Sequence, residues 1–110
     1  MVFNTGATLL DAIVLAVVSH DQEGTYGYKI TQEVRQVIEV SESTLYPVLR
    51  RLQKDGCLEI YDMAYAGRNR RYYRLTEPGV RKLVMYRQEW KQYSDKVTAI
   101  MEGGMNCEQN

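Results

Sequence analysis

The chain holds one histidine, one tryptophan, one phenylalanine, two cysteines and two prolines. Each scarcity excludes something. No nucleophile elbow, glycine-rich phosphate loop or metal-ligand spacing accompanies His20, so the sequence reads as no enzyme, with no catalytic residue, no metal and no cofactor. His20 itself reads as a helix C-terminal or surface residue. Cys57 lies in a strand-like run, Cys107 lies near the end, and no C-x-x-C motif occurs. That is the pattern of two reduced thiols in a cytoplasmic protein, with a disulfide or metal site as the alternative. The longest apolar run falls within Leu9–Val18 and is broken by Asp11. It is too short to span a bilayer, and no basic leader or small-residue cleavage site flanks it, so neither a membrane partner nor a signal peptide is expected. Net charge is lacking too: 14 basic residues meet 14 acidic ones.

That neutrality hides an uneven distribution. From Arg50 to Arg74 there are seven basic residues against three acidic, a net of +4, which the rest of the chain balances. The centre of this excess is AGRNRRYYRLTEPG, residues 66–79. Arginines crowded around a glycine turn repel one another unless an anion arrives, so the stretch suits a polyanion. A merely solvated turn is the plain alternative.

The 110 residues, 45% hydrophobic and 25% charged, fit one globular domain with a modest core. Residues 1–8 read as a short arm. A wide apolar stripe from Leu9 to Val17 predicts a largely buried helix. Thr25-Tyr26 reads as a short strand, and residues 28–38 as a second helix with Tyr28, Ile30, Val34, Val37 and Ile38 on its apolar side. In VSESTLYPVLRRLQKDG, Leu45, Val48, Leu49 and Leu52 fall at helical spacing. Ser41 or Ser43 can cap this third helix, and Gly56 suits its left-handed terminus. Pro47 implies either a regular start near Ser43 or a bent first turn. Alternation from Cys57 to Tyr65 predicts a strand, residues 66–70 a loop, and residues 71–75 a returning strand. Of the adjacent Tyr72 and Tyr73, one should face the core. Thr76-Glu77-Pro78-Gly79 reads as the start of a final helix that ends near Met101.

The fold class is therefore mainly α with a small β-hairpin: a winged helix-turn-helix plus a long C-terminal helix. Residues 1–75 are read as the winged unit, 76–102 as the last helix and 103–110 as a disordered tail. Leu83, Tyr86, Trp90, Tyr93, Val97 and Ile100 recur at alternating gaps of three and four, a heptad seam. A helix of this length, about 40 Å, outruns a small core, so a second copy is the natural cover and a homodimer the expected state. Packing on the chain's own first helix is the alternative. Trp90 with Tyr86 and Tyr93 could line an aromatic pocket there, or be ordinary core.

The third helix presents Ser41, Ser43, Thr44 and Tyr46 at its N-terminal end, opposite the leucines. Hydroxyls there can reach phosphates or base edges when such a helix enters a major groove. The bland alternative is a solvated face whose serines only cap.

With TYGYKI, STLYPVLRRLQKDG and GRNRRYYRLTEPG in this order, the sequence resembles the PadR family of bacterial winged-helix regulators over about Leu9 to Glu102. The resemblance implies a homodimeric repressor of double-stranded operator DNA. It implies that Ser43, Thr44, Tyr46 and Arg50 face DNA from the recognition helix, and that Arg68 and Arg70 face it from the wing; Ser41 at the helix start and Arg71 at the hairpin tip join them as DNA-binding candidates by their place in the sequence. A single C-terminal helix is similar to the family's short members, some of which take a small planar aromatic effector near a tryptophan placed like Trp90. Cys57 stands where the family usually has a larger aliphatic residue. A protein–protein interaction module built on the same winged helix is the competing reading.

Overall fold

A computed structural model describes residues 6–109, with side chains as far as Gly103. The elements run α1 (Ala7–Ser19), β1 (Thr25–Tyr26), α2 (Gly27–Arg35), α3 (Glu42–Lys54), β2 (Leu58–Tyr65), β3 (Arg68–Leu75) and α4 (Glu77–Gln109). The expected winged helix-turn-helix is present, and β1 adds a third antiparallel strand to the hairpin, in the order β1-β3-β2.

The core forms where the apolar stripes of three helices meet the inner face of this sheet. Val14, Leu15 and Val18 of α1, Ile30 and Val34 of α2, and Leu45, Leu49 and Leu52 of α3 are essentially sealed from solvent. Leu58 and Tyr73 close it from the sheet, and Leu83 and Tyr86 from α4. Tyr73 is the inward member of its pair, as strand alternation requires, and burial raises its hydroxyl pKa above the ordinary value despite nearby Arg71. Cys57 is buried and serves as a small hydrophobe.

Local chemistry sets the boundaries. Ser41 is the cap of α3, its Oγ accepting from the Thr44 amide at 3.3 Å, and the helix carries Pro47 inside it. The start thus lies at Glu42, next to the Ser43 that one reading of Pro47 implied, and Pro47 sits within the helix. At the other end Gly56 takes φ +81°. The Cys57 amide donates to Leu52 O at 2.9 Å and the Gly56 amide to Gln53 O at 3.0 Å, a Schellman closure. Thr76 caps α4, its Oγ1 accepting from the Gly79 amide at 3.1 Å. Gly79 sits so tightly on the Cys57 carbonyl that no side chain would fit between them.

Three expectations change. Residues 66–70 are no loop: Ala66 and Gly67, with φ of +51° and +79°, make a two-residue turn, and β3 already begins at Arg68. Paired positive φ values match the twist of the strands, which is why the turn is this tight. α2 stops at Arg35, three residues early, and a turn follows whose Val40 carbonyl accepts from Arg35 Nε at 2.8 Å. α4 runs to Gln109 instead of ending near Met101, since Gly103 and Gly104 weaken a helix without breaking it. Residues 1–5 of the expected arm, the Cys107 side chain and Asn110 lie outside the described residues. The long α4 stretches the molecule to 66 × 25 × 21 Å.

Candidate nucleic-acid interface

α3 turns its leucines inward, which leaves Ser41, Ser43, Thr44, Tyr46 and Arg50 all exposed on one side. The hydroxyls at its start form a cluster. Ser41 Oγ lies 2.9 Å from Ser43 Oγ and 3.1 Å from Thr44 Oγ1. Ser41 therefore already has a structural role as the cap, while Ser43 and Thr44 project beside it.

Facing the middle of α3 is the hairpin. An open groove of about 1050 Å³ runs between them, and Tyr46, Arg50, Arg68, Arg70 and Arg71 all line it. Five of the eight residues singled out from the sequence thus converge on one space. Ser41, Ser43 and Thr44 stand beyond it, at the helix tip. The groove also takes in Tyr26, Tyr28 and Tyr65, which sequence reasoning did not connect with the arginines. With three arginines from β3 and one from α3 around it, the groove is cationic, as an anionic strand needs.

The arginines differ in setting. Arg68 and Arg71 are exposed. Arg70 is half-buried, with its Cζ 4.1 Å from the centre of the Tyr26 ring and 3.8 Å from that of Tyr65. Arg74, further down β3, pairs with Glu59 and lies 4.9 Å above the Tyr61 ring.

The heptad seam divides in two. Leu83 and Tyr86 are buried in the chain's own core, and burial raises the Tyr86 hydroxyl pKa above its usual value. Trp90 is 43% exposed and Ile100 77%. Between α1 and α4 lies an apolar groove of about 320 Å³ lined by Leu9, Ile13, Ala16, Tyr86 and Trp90, among others. Tyr93 is not part of that lining, but its ring lies 6.0 Å from that of Trp90. His20 is the C-cap residue of α1, its Nδ1 3.8 Å from Glu33 Oε1, as its surface reading anticipated. Among the described residues no cluster of His, Cys, Asp and Glu could hold a metal ion, and no helix is long and apolar enough to cross a membrane.

Comparison with known proteins gives a consistent picture. The pattern of the transcriptional regulator PadR-like family matches residues 14–84. The crystal structure of smu.1704 from Streptococcus mutans UA159 superposes with a TM-score of 0.83 at 39% identity, covering 94% of this chain and 95% of that one. The transcriptional regulator Rv3488 of Mycobacterium tuberculosis is 40% identical over 70 residues, 62% of this chain and 65% of that protein. Bacillus subtilis PadR, solved in complex with operator DNA, shares the fold with a TM-score of 0.63 at 23% identity, over 71% of this chain and 46% of that one.

Proposed function

Because the chain belongs to the PadR-like family of transcriptional regulators, we propose that it is a sequence-specific repressor that binds double-stranded operator DNA as a homodimer. The observation that carries this reading is the convergence of Tyr46, Arg50, Arg68, Arg70 and Arg71 on one groove between α3 and the hairpin. In this reading Ser43, Thr44 and Tyr46 reach base edges or phosphates from the start of α3, with Ser41 holding that end of the helix. Arg50 and the exposed Arg68 and Arg71 neutralise phosphates, and Arg70 adds its charge at the wing. Repression is steric: a dimer on a palindromic site occupies what the transcription machinery needs. The operator complex of Bacillus subtilis PadR supports DNA as the partner by likeness of fold.

The residues of α4 beyond Tyr86 serve dimerisation. Trp90, Tyr93, Val97 and Ile100 continue the seam past the chain's own core, where only a second copy repeats the same spacing. The α1–α4 groove beside Trp90 would take a small aromatic effector, because its walls are apolar and aromatic. Effector binding that changed the spacing of the two wings would change operator affinity.

The test is fluorescence anisotropy with a labelled duplex from the gene's own upstream region. A scrambled duplex, two salt concentrations and the variant Arg68→Ala/Arg71→Ala complete it. Preference for the upstream duplex, a steep salt dependence and loss in the variant support the repressor. Equal, weak, salt-insensitive binding to both duplexes favours the protein-interaction module instead.

A further inference from the structure

β1 is only two residues long, and its last residue, Tyr26, pairs with Tyr72. Beyond that pair β2 and β3 continue alone, from Asp62↔Arg71 out to Tyr65↔Arg68. Every residue from Asp62 to Asn69 is exposed, so no buried apolar side chain anchors this stretch of the hairpin. A bare two-stranded ribbon is marginal in water. Something else must hold the wing at a fixed angle to the helix-turn-helix.

The outer face of the sheet supplies it. Arg70 lies between the ring of Tyr65, at the tip, and the ring of Tyr26, at the base, 3.8 and 4.1 Å from their centres. Tyr26 meets Tyr72 edge-on at 5.7 Å, and Tyr72 stacks on Tyr61 at 5.7 Å. Arg74 lies over Tyr61 and pairs with Glu59. The wing tip is thus joined to the base of the sheet through an unbroken series of rings and guanidinium groups. Tyr26 is also the residue that precedes the first turn of α2.

We infer that Arg70 is a positioning residue: its guanidinium, clamped between Tyr26 and Tyr65, fixes the wing relative to α2 and α3, while the exposed Arg68 reaches the phosphate. The inference rests on the DNA-binding reading for its functional consequence, but the clamp itself is a property of the free protein. A planar, weakly hydrated cation suits this place, since two rings lie within about 4 Å of its central carbon and a guanidinium stacks where an ammonium does not.

Two measurements separate the roles. The first is amide hydrogen exchange of the full-length protein without DNA. Arg70→Ala and Tyr65→Leu should speed exchange of the amides from Tyr65 to Arg70 by roughly fivefold. Tyr65→Phe, which keeps the ring, and Arg68→Ala should not, and core amides such as those of Leu49 and Leu52 should keep wild-type rates in all four. The second is the salt dependence of binding to the upstream duplex. Arg68→Ala should lower the log–log slope by about 0.9, the signature of one phosphate no longer neutralised. Arg70→Ala and Tyr65→Leu should weaken binding severalfold with the slope kept, although the second removes no charge. Unchanged exchange in both clamp variants would overturn the inference. So would a slope loss in Arg70→Ala equal to that of Arg68→Ala. If the wild type fails to bind DNA, the repressor reading falls while the exchange data still decide the clamp.

Discussion

The guanidinium of Arg51 grips the carboxylate of Asp11 with two parallel hydrogen bonds, Nη1 donating to Oδ2 at 2.7 Å and Nη2 to Oδ1 at 2.8 Å. The Asp11 side chain is 9% exposed and that of Arg51 46%. The carboxylate accounts for the raised pKa of Arg51, chiefly through these hydrogen bonds. The pair joins α1, beside the apolar groove, to α3, one residue from Arg50. Removing Arg51 strands a carboxylate in the core, so Arg51→Met should cost about 1–3 kcal/mol, the lower end reflecting the half-exposed arginine. Urea unfolding should show a lower midpoint with an unchanged slope. Asp11→Asn combined with Arg51→Met should recover part of the loss, and a single variant indistinguishable from wild type would deny the pair any role.

Gly79 should be irreplaceable for a steric reason. A Cβ there would meet the carbonyl of Cys57, backbone that cannot swing away. Gly79→Ala should destabilise by about 2 kcal/mol or more, a fall in Tm of roughly 8 °C or more. Gly103→Ala provides the contrast, because its Cβ would meet nothing within 4 Å. It should raise stability by up to about 1 kcal/mol if that part of α4 unfolds with the rest. Calorimetry of both variants reads the difference.

Much of this arrangement was legible in the sequence. Helix periodicity gave the three-helix body, strand alternation gave the hairpin, and Thr76 and Gly56 marked helix ends by the chemistry of caps. Three things were not legible. The turn hides in Ala66-Gly67, because alanine does not advertise a positive φ. The partner of Asp11 lies 40 residues away, and a lone charge in an apolar helix announces that it needs a counter-ion without saying which. The Arg70 clamp depends on β1 docking beside β3, a long-range pairing that puts Tyr26 within reach of the wing. The seam was visible as a repeat, but its division between internal core and exposed remainder needed the packing of α1 on α4.

Ala66 carries φ +51° at the first central position of the hairpin turn. Asparagine adopts that region more readily than alanine, and Asn-Gly is the preferred pair for such a turn. Ala66→Asn should therefore stabilise by about 0.5–1 kcal/mol and leave the register of β2 and β3 intact. Thermal unfolding tests the sign; a loss of stability would mean that the turn relaxes to another type in solution.

Ser41 separates structure from recognition. Its hydroxyl caps α3, hydrogen-bonded to Ser43 and Thr44. Aspartate caps a helix as well as serine does, so Ser41→Asp should leave Tm within a few degrees of wild type. It also puts a negative charge where phosphate is proposed to approach. Operator binding should fall by roughly tenfold, the order expected when attraction to a phosphate gives way to repulsion. Ser41→Ala should behave oppositely, costing about 1 kcal/mol of stability with a smaller effect on DNA. A binding loss in Ser41→Ala with none in Ser41→Asp would mean that Ser41 acts only through the helix it caps.

The exposed half of α4 bears on assembly. Ile100 is 77% exposed and Trp90 43% in the single chain, and the two belong to one heptad seam. Burying that seam against a second copy would remove the lone tryptophan of each chain from water. Sedimentation should therefore find a dimer, and the emission of Trp90 should shift to longer wavelength on dilution as the dimer parts. Ile100→Asp places a charge in the seam but far from the monomer's core, so it should give a folded monomer with the red-shifted emission at concentrations where wild type is dimeric. Leu83→Asp, by contrast, should unfold the chain, because Leu83 is 9% exposed and packed within its own core. The two outcomes together would assign Leu83 to the fold and Ile100 to the interface. A wild-type monomer whose emission ignores dilution would leave α4 as a one-chain helix and remove the dimer from the mechanism.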